Sequence, residues 1–490
     1  MDGAASITRN AALSLAGQLL TAAVTAGLTL YLARALGPDE FGIFSLALAV
    51  SATLMLISEF GVSQSAARFA AEHRGEPERV AEVLASALRL KLFLAGGVCV
   101  ALVLAAGPIA DAYDEPDLVW PLRGMAVALF GQNLMALYGG AFTALARVAY
   151  DFRIVALKSV VEAGGTVALV IATAGATEAA FGRAAGFAAG GLFALLLAAR
   201  VLGREAIGIG VRERMSTRRI AGYAGALFVI DGAFALFQQV DVLLIGGIIS
   251  ATAAGLFLAP LRLVSFLSYP ALALANGVAP RLAGAGSEAA VEPFMRAIRL
   301  LILFQALLVP PLVVWAEPIV DLLLGDGYEE SAEVLRGLAP FVFMMGIGTL
   351  LALGVNFLGE ARRRVPIAIA TVSVNVVLDL ILLPEIGIVG GAIATDVSFA
   401  IYVGAHLWIC RRMLGIELRP LAVSLARALV AAAAMTGVLA LFGVSEVGVP
   451  ALLAGLGAGT ICFVAVLALT RELTRADLDD VRAIATRIRR

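Results

Sequence analysis

The chain is predicted to be an all-α polytopic membrane protein of about 14 transmembrane helices, forming two parallel six-helix lobes plus two extra C-terminal helices. Three observations predict it. The composition, 61% hydrophobic and only 15% charged over 490 residues with a mean hydropathy of +0.96, does not describe a soluble domain of this length. Apolar runs of about twenty residues, the length that crosses a bilayer as a helix, recur from end to end. Basic and acidic residues are sorted to different loops, so the net charge of -1 hides a strong segregation and says nothing about partners.

The first run, 11–33, is longer than a signal-peptide core and has no convincing cleavage site after it, so it is read as a retained span. Runs bounded by charges, Gly or Pro then follow at 41–60, 86–109, 118–143, 155–174, 178–200 and 220–246. The rest lie at 252–277, 297–316, 337–358, 366–384, 388–411, 421–443 and 447–470. An even number of spans puts both termini on one side. Lys and Arg decide which, because cytoplasmic loops retain them. Taking loops and helix ends alternately, one side holds Arg9, the group from Arg68 to Lys91, the group from Arg147 to Lys158, and the six arginines from Arg200 to Arg219. It also holds Arg281, Arg296 and Arg299, Arg362 to Arg364, Arg411, Arg412 and Arg419, and six in the tail, which makes thirty of the 36 basic residues. The opposite side holds Arg34, Arg336 and the acidic stretches "DAYDEPD" (111–117) and "LLGDGYEE" (323–330). Both termini are expected in the cytoplasm and the chain in the plasma (inner) membrane. Arg123, Arg183, Arg262 and Arg427 fall within spans.

Sliding the chain on itself lays "FGIFSLAL" (41–48) on "AGLFLAPL" (254–261) and "EFGVSQSAARFA" (59–70) on "LALANGVAPRLA" (272–283) at an offset of 213. Farther on, 186–203 meets 398–415 at 212. A repeat of six spans, an even number, relates two like-oriented copies by an axis along the membrane normal. The organisation expected is a lobe at 1–203, a cytoplasmic linker at 204–219, a second lobe at 220–415, two added spans at 416–470 and a basic amphipathic tail at 471–490. In that tail Leu478, Val481, Ile484, Ala485 and Ile488 share one stripe, suited to the inner leaflet. Cys99, Cys410 and Cys462 lie in or beside apolar runs with no CxxC and read as small inert hydrophobes. No Walker sequence or GxGxxG is present.

The stretch "LARALGPDEFGIFSLALAVSATLMLISEFGVSQSAARFA" (32–70) resembles the opening signature of polysaccharide-biosynthesis, lipid-linked oligosaccharide flippases of the multidrug/oligosaccharidyl-lipid/polysaccharide exporter superfamily. So do "QQVDVLLIGGIISATAAGLFLAPLRLVSFLSYPALALANGVAPRLAG" (238–284) and "VNVVLDLILLPEIGIVGGAIATDVSFA" (374–400). One departure stands out: Asp379 occupies a position where the resemblance leads one to expect Asn, which puts an uncommon charge inside span 11. The resemblance implies two six-helix bundles around a central cavity lined chiefly by spans 1, 2, 7 and 8.

Within that picture, "DGAFALFQQVDVLLIGG" (231–247) carries polar groups at membrane depth, where an ionisable residue is costly and usually faces a partner or water. At 100° per residue Gln238 lies about 20° from Asp231 and Asp241 about 80°, so one side of span 7 is expected to face the cavity. Folding spans 7 and 8 as an antiparallel pair puts Arg262 between Asp231 and Asp241, either as a phosphate fork or as a structural ion pair. Gln18 and Asn276 join the cavity candidates, and Arg34 does so less strongly because it also reads as an interfacial residue. Arg123 and Arg183 read as interfacial. Asn133, Asn356 and Asn375 read as interhelical hydrogen-bonding amides. Glu59 is a gate candidate, with Arg68 or Arg281 as its partner.

The function expected is translocation of an isoprenoid-(pyro)phosphate-linked oligosaccharide from the inner to the outer leaflet. The alternatives are a lipid-linked peptidoglycan precursor flippase, a drug/cation antiporter of the same superfamily, or a membrane glycosyl or phosphoglycosyl transferase. An enzyme is not expected, because His73 and His406 are far apart in sequence and no dense carboxylate motif is present. No cofactor and no metal site are expected, with a coupling cation left open. The expected partners are the lipid-linked oligosaccharide and membrane lipids, with a polysaccharide polymerase or glycosyltransferases left open. No nucleic acid is expected, and the chain is taken as a monomer.

Overall fold

The computed structural model describes residues 2–209, 217–278, 287–445 and 447–473, and among them every regular element is helical. The longest, α1 (Asp2–Glu59), holds the first two spans end to end. Gly37, at φ 71°, leaves the helical region between them, and Pro38 follows with no N–H to donate. A positive φ costs glycine nothing, and proline starts a helix readily, so the junction is a sharp kink where the sequence reading placed a loop.

Next come α2 (Val62–Glu72), α3 (Pro77–Ala112), α4 (Val119–Ala144), α5 (Val148–Thr173), α6 (Ala176–Val201), α7 (Thr217–Ile248) and α8 (Ala251–Ser265). These are followed by α9 (Tyr269–Val278), α10 (Ser287–Val314), α11 (Ala316–Leu323), α12 (Glu329–Gly337), α13 (Ala339–Phe357), α14 (Arg364–Ile386), α15 (Ile388–Leu414), α16 (Leu418–Ala440) and α17 (Val449–Leu469). Twelve helical stretches of the described residues are long and apolar enough to cross a membrane. With α1 counted as two spans and the apolar stretch Gly232–Ile248 added, fourteen are present, as the sequence predicts. The short amphipathic α2, α11 and α12 were not expected. Each is too short for a span, and each buries one face only, as α2 does with Val62, Ala66, Phe69 and Ala70.

Two compact units are present, one of 1–262 with 375–391, the other of 263–374 with 392–490. This division does not follow the expected linker at 204–219, because α7 and the first part of α8 pack on α1. Gly42 and Gly255 make that packing possible: a Cβ on Gly255 would lie 2.7 Å from Gly42 Cα. Gly42 and Gly255 are equivalent under the 213-residue offset, and so are Asp39 and Thr252, whose hydroxyl donates to Asp39 Oδ1 at 2.7 Å. Copies of one residue can touch only beside the axis that relates them.

Lys91 and Lys158, counted with loops and helix ends, are both buried. The bias remains after their removal.

Candidate substrate cavity and buried acidic pair

The first unit holds a cavity of about 430 Å³ lined by polar and apolar side chains together. One wall is α1, where Thr21, Thr25 and Thr29 recur every fourth residue and so share a face. The opposite wall comes from α5 and α6. On α5, Lys158, Glu162 and Thr166 repeat the same spacing, and all three are buried. On α6, Gly182, Gly186 and Gly190 sit against them in turn: a Cβ there would lie 2.6 Å from Thr166 N, 2.7 Å from Glu162 Cα and 2.9 Å from Lys158 Cβ respectively. The glycine stripe lets the two backbones close up beside the polar stripe.

Glu162 bridges two cations. One carboxylate oxygen pairs with Lys158 Nζ and the other accepts from Arg183 Nη1 at 2.7 Å. Both cations also lie over the Phe187 ring, at 4.5 and 4.7 Å from its centroid. Thr166 Oγ1 is buried without a hydrogen-bond partner. Arg262 lines the same cavity, so the wall carries three cations and one carboxylate.

Near the start of this unit a second buried lysine organises a structural network. Lys91 pairs with Glu59 and donates to Asn133 Oδ1 at 2.7 Å, and Asn133 Nδ2 donates to Ser58 Oγ at 2.9 Å. Glu59 Oε1 also accepts from Ser63 N at 3.0 Å. The network joins α1, α2, α3 and α4. The gate reading offered Arg68 or Arg281 to Glu59; the buried partner is Lys91, and Arg68 is bonded to Glu72 at 3.1 Å. Arg281 lies outside the described residues.

A third polar feature is acidic. Asp379 and Asn375, one turn apart on α14, and Asp241 on α7 are all buried. Asp379 lies against Asp241, within hydrogen-bonding reach once a proton is present. Neither Asp379 oxygen, and neither polar atom of the Asn375 side chain, has a partner. Two buried carboxyls in contact need a proton or a cation between them. Three side chains offering hard oxygen ligands and no sulfur or imidazole fit a proton or an alkali cation.

The predicted site residues are therefore divided. Arg262 lines the cavity, and Asp241 belongs to the acidic pair. Gln18, Gln238 and Arg34 are exposed. The side chains of Asp231 and Asn276, and the tail at 475–490, lie outside the described residues. Arg183, read as interfacial, is an inward residue held by Glu162; Arg123 does stack on Trp120 at 4.7 Å, as an interfacial arginine would. Sequence reasoning missed Lys158, Glu162 and Thr166. The signal is available in "LKSVVEAGGT", as polar residues every fourth position facing glycines every fourth position in "GRAAGFAAG", but the charge pattern counts this lysine with the basic helix ends.

The family model for polysaccharide biosynthesis proteins matches residues 7–283, more than half the chain. The chain belongs to that family. Among relatives of this polysaccharide biosynthesis protein is one of Haloferax volcanii named a probable low-salt glycan biosynthesis flippase, 23% identical over 78% of each chain. Another, of Shigella flexneri, is named as an O-antigen transporter and is 20% identical over 83% of this chain and 98% of its own. Among solved structures, the lipid II flippase MurJ in an inward closed conformation aligns with a TM-score of 0.72, covering 94% of this chain and all of MurJ at 12% identity. A multidrug-resistance MATE transporter in an inward-facing conformation aligns at 0.66, covering 80% of this chain and 94% of its own at 15% identity. The family member thus has the fold of these transporters.

Proposed function

We propose that the chain is a flippase that carries an isoprenoid-(pyro)phosphate-linked oligosaccharide from the inner to the outer leaflet for surface polysaccharide or glycan assembly. The observation that carries this reading is a cavity lined by hydroxyls and cations inside an otherwise apolar helical unit. Hydroxyls on α1 suit sugar hydroxyls, Arg262, Lys158 and Arg183 suit the anionic link, and the isoprenoid stays in the bilayer. The chain then works by alternating access, with the repeat halves rocking and both termini cytoplasmic. A monomer suffices for this, served by the glycosyltransferases that build the substrate and the polymerase that consumes it.

The coupling cation belongs to the same proposal, at Asp241, Asn375 and Asp379. An ion entering there neutralises a carboxyl pair that is costly to leave charged, which ties ion occupancy to helix packing. In vesicles containing the purified protein, a labelled polyprenyl-diphosphate saccharide placed in one leaflet is expected to reach the other at a protein-dependent rate. That rate should rise with a sodium or proton gradient and lose the gradient response in Asp379→Asn. Equal rates with and without protein would overturn the flippase reading, and a gradient response surviving in Asp379→Asn would overturn the ion site alone.

A further inference from the structure

We infer that Lys158 and Arg183 form the subsite for the diphosphate of the substrate, and that Glu162 is a resident stand-in which the diphosphate displaces towards Thr166. This rests on the flippase reading and names the part of the cavity that holds the charge. The geometry is that of an exchange. One carboxylate bridges a lysine and an arginine, and a diphosphate diester, with an ionised oxygen on each phosphorus, can bridge the same two cations with one charge for each. Arginine supplies a planar fork and lysine a point charge, a combination that recurs where phosphates are held.

A displaced carboxylate buried in the protein would be costly without a new donor. Thr166 supplies one. It stands one turn beyond Glu162 on the same face of α5, is 1% exposed, and its hydroxyl is bonded to nothing in the structure. Glu162 can therefore turn from the cations to Thr166 Oγ1 without entering an apolar region. Depth supports the assignment. At 1.5 Å per residue Lys158 and Glu162 lie about 15 and 21 Å along a helix of about 38 Å, near the midplane, where a site can serve both leaflets in turn. The Phe187 face beneath both cations keeps them together while the anion changes.

The test is binding to the purified full-length protein in detergent, with a polyprenyl diphosphate, the matching polyprenol, inorganic pyrophosphate and glucuronate as probes. Glu162→Gln should tighten polyprenyl diphosphate about tenfold by removing the competing anion, while Arg183→Gln weakens it by at least as much. Glu162→Asp, too short to span both cations, should also tighten it and serves if the Gln variant does not fold. Thr166→Val should weaken diphosphate binding several-fold with thermal stability unchanged, a result that a merely structural hydroxyl would not give. Polyprenol binding should be the same in every variant, and pyrophosphate should compete where glucuronate does not. Weaker diphosphate binding in both Glu162 variants, an unchanged Kd in Thr166→Val, or competition by glucuronate alone would overturn the subsite. Flipping that persists in Arg183→Gln at the wild-type rate would also overturn it while leaving the flippase reading intact. The expected binding pattern in a protein that flips nothing would instead overturn the flippase reading and keep the subsite.

Discussion

Lys91 and Lys158 are the only lysines among 36 basic residues, and each is buried against a glutamate. A sequence shows that such residues are rare but not where they point. Both lysines sit within a few residues of arginines that the positive-inside bias assigns to the cytoplasmic side, and in the sequence they look the same. What separates them is burial: Lys91 meets Glu59 across a helix interface, and Lys158 meets Glu162 one turn along its own helix, under the glycines of α6. Asp379 stands out in the sequence as a departure, and Asp241 beside it in the fold gives that departure a meaning. Lys91→Met should leave the part-buried Glu59 without its cation and cost about 1–3 kcal/mol, seen as a fall in membrane abundance and melting temperature. Adding Glu59→Gln should restore most of the loss, because the pair would then be removed together. Full stability in Lys91→Met alone would show that the network carries no weight.

The helices themselves were legible, because an apolar run of sufficient length has few other structures available to it in a bilayer. The pairing of helices was less so, since glycine and alanine fill this chain throughout. Gly186 illustrates what decides it. Any side chain there meets the Glu162 backbone, so Gly186→Val should push α6 off α5, open the cavity wall and abolish transport, while the same change at Gly97, which has open space, should not. Transport assays on the two variants at matched abundance check this. In the second unit one residue beyond the last helix ties three helices together. Glu472 accepts from Arg299 Nε at 2.7 Å, Ser424 Oγ at 2.6 Å and Arg427 Nη1 at 2.8 Å. Burial works to raise this carboxyl, but the donors outweigh it and hold it below the usual carboxylate range. A depressed value means that the stabilisation is complete above the unfolded-state pKa and is lost as pH falls through the folded one. Melting temperature should therefore drop on acidification through the carboxylate range, and Glu472→Gln should remove that part of the pH dependence.

At the scale of the molecule the basic-residue bias makes a topology that labelling can check. In a Cys-free background, single cysteines at Ala112, Thr177 and Val444 should react from outside the cell. Cysteines at Gly208 and Ala361 should react only after permeabilisation. Outside labelling at Gly208 would invert the assignment. On that topology the kink at Gly37, next to Thr252, is expected to face outward. A cysteine pair replacing Asp39 and Thr252 should cross-link there and stop transport until reductant is added, because rocking requires those ends to part. Normal delivery through an efficiently cross-linked protein would exclude rocking and favour a head group sliding along a fixed groove.

Residues 39 and 252, like 42 and 255, are each other's counterparts, and the patch they form is self-complementary in the sense that a symmetric dimer interface is. Such a patch obeys a rule that no other surface does, because whatever is placed on one side is also placed opposite itself. Glycine facing glycine satisfies the rule by taking up no room. An aspartate facing its own copy would not, since two like charges would then meet beside the axis. Of the two copies one carries an acid, and the other carries the hydroxyl that bonds to it. A hydroxyl opposite the acid avoids that meeting of like charges, and Thr252→Asp should drive the two halves apart at this one point.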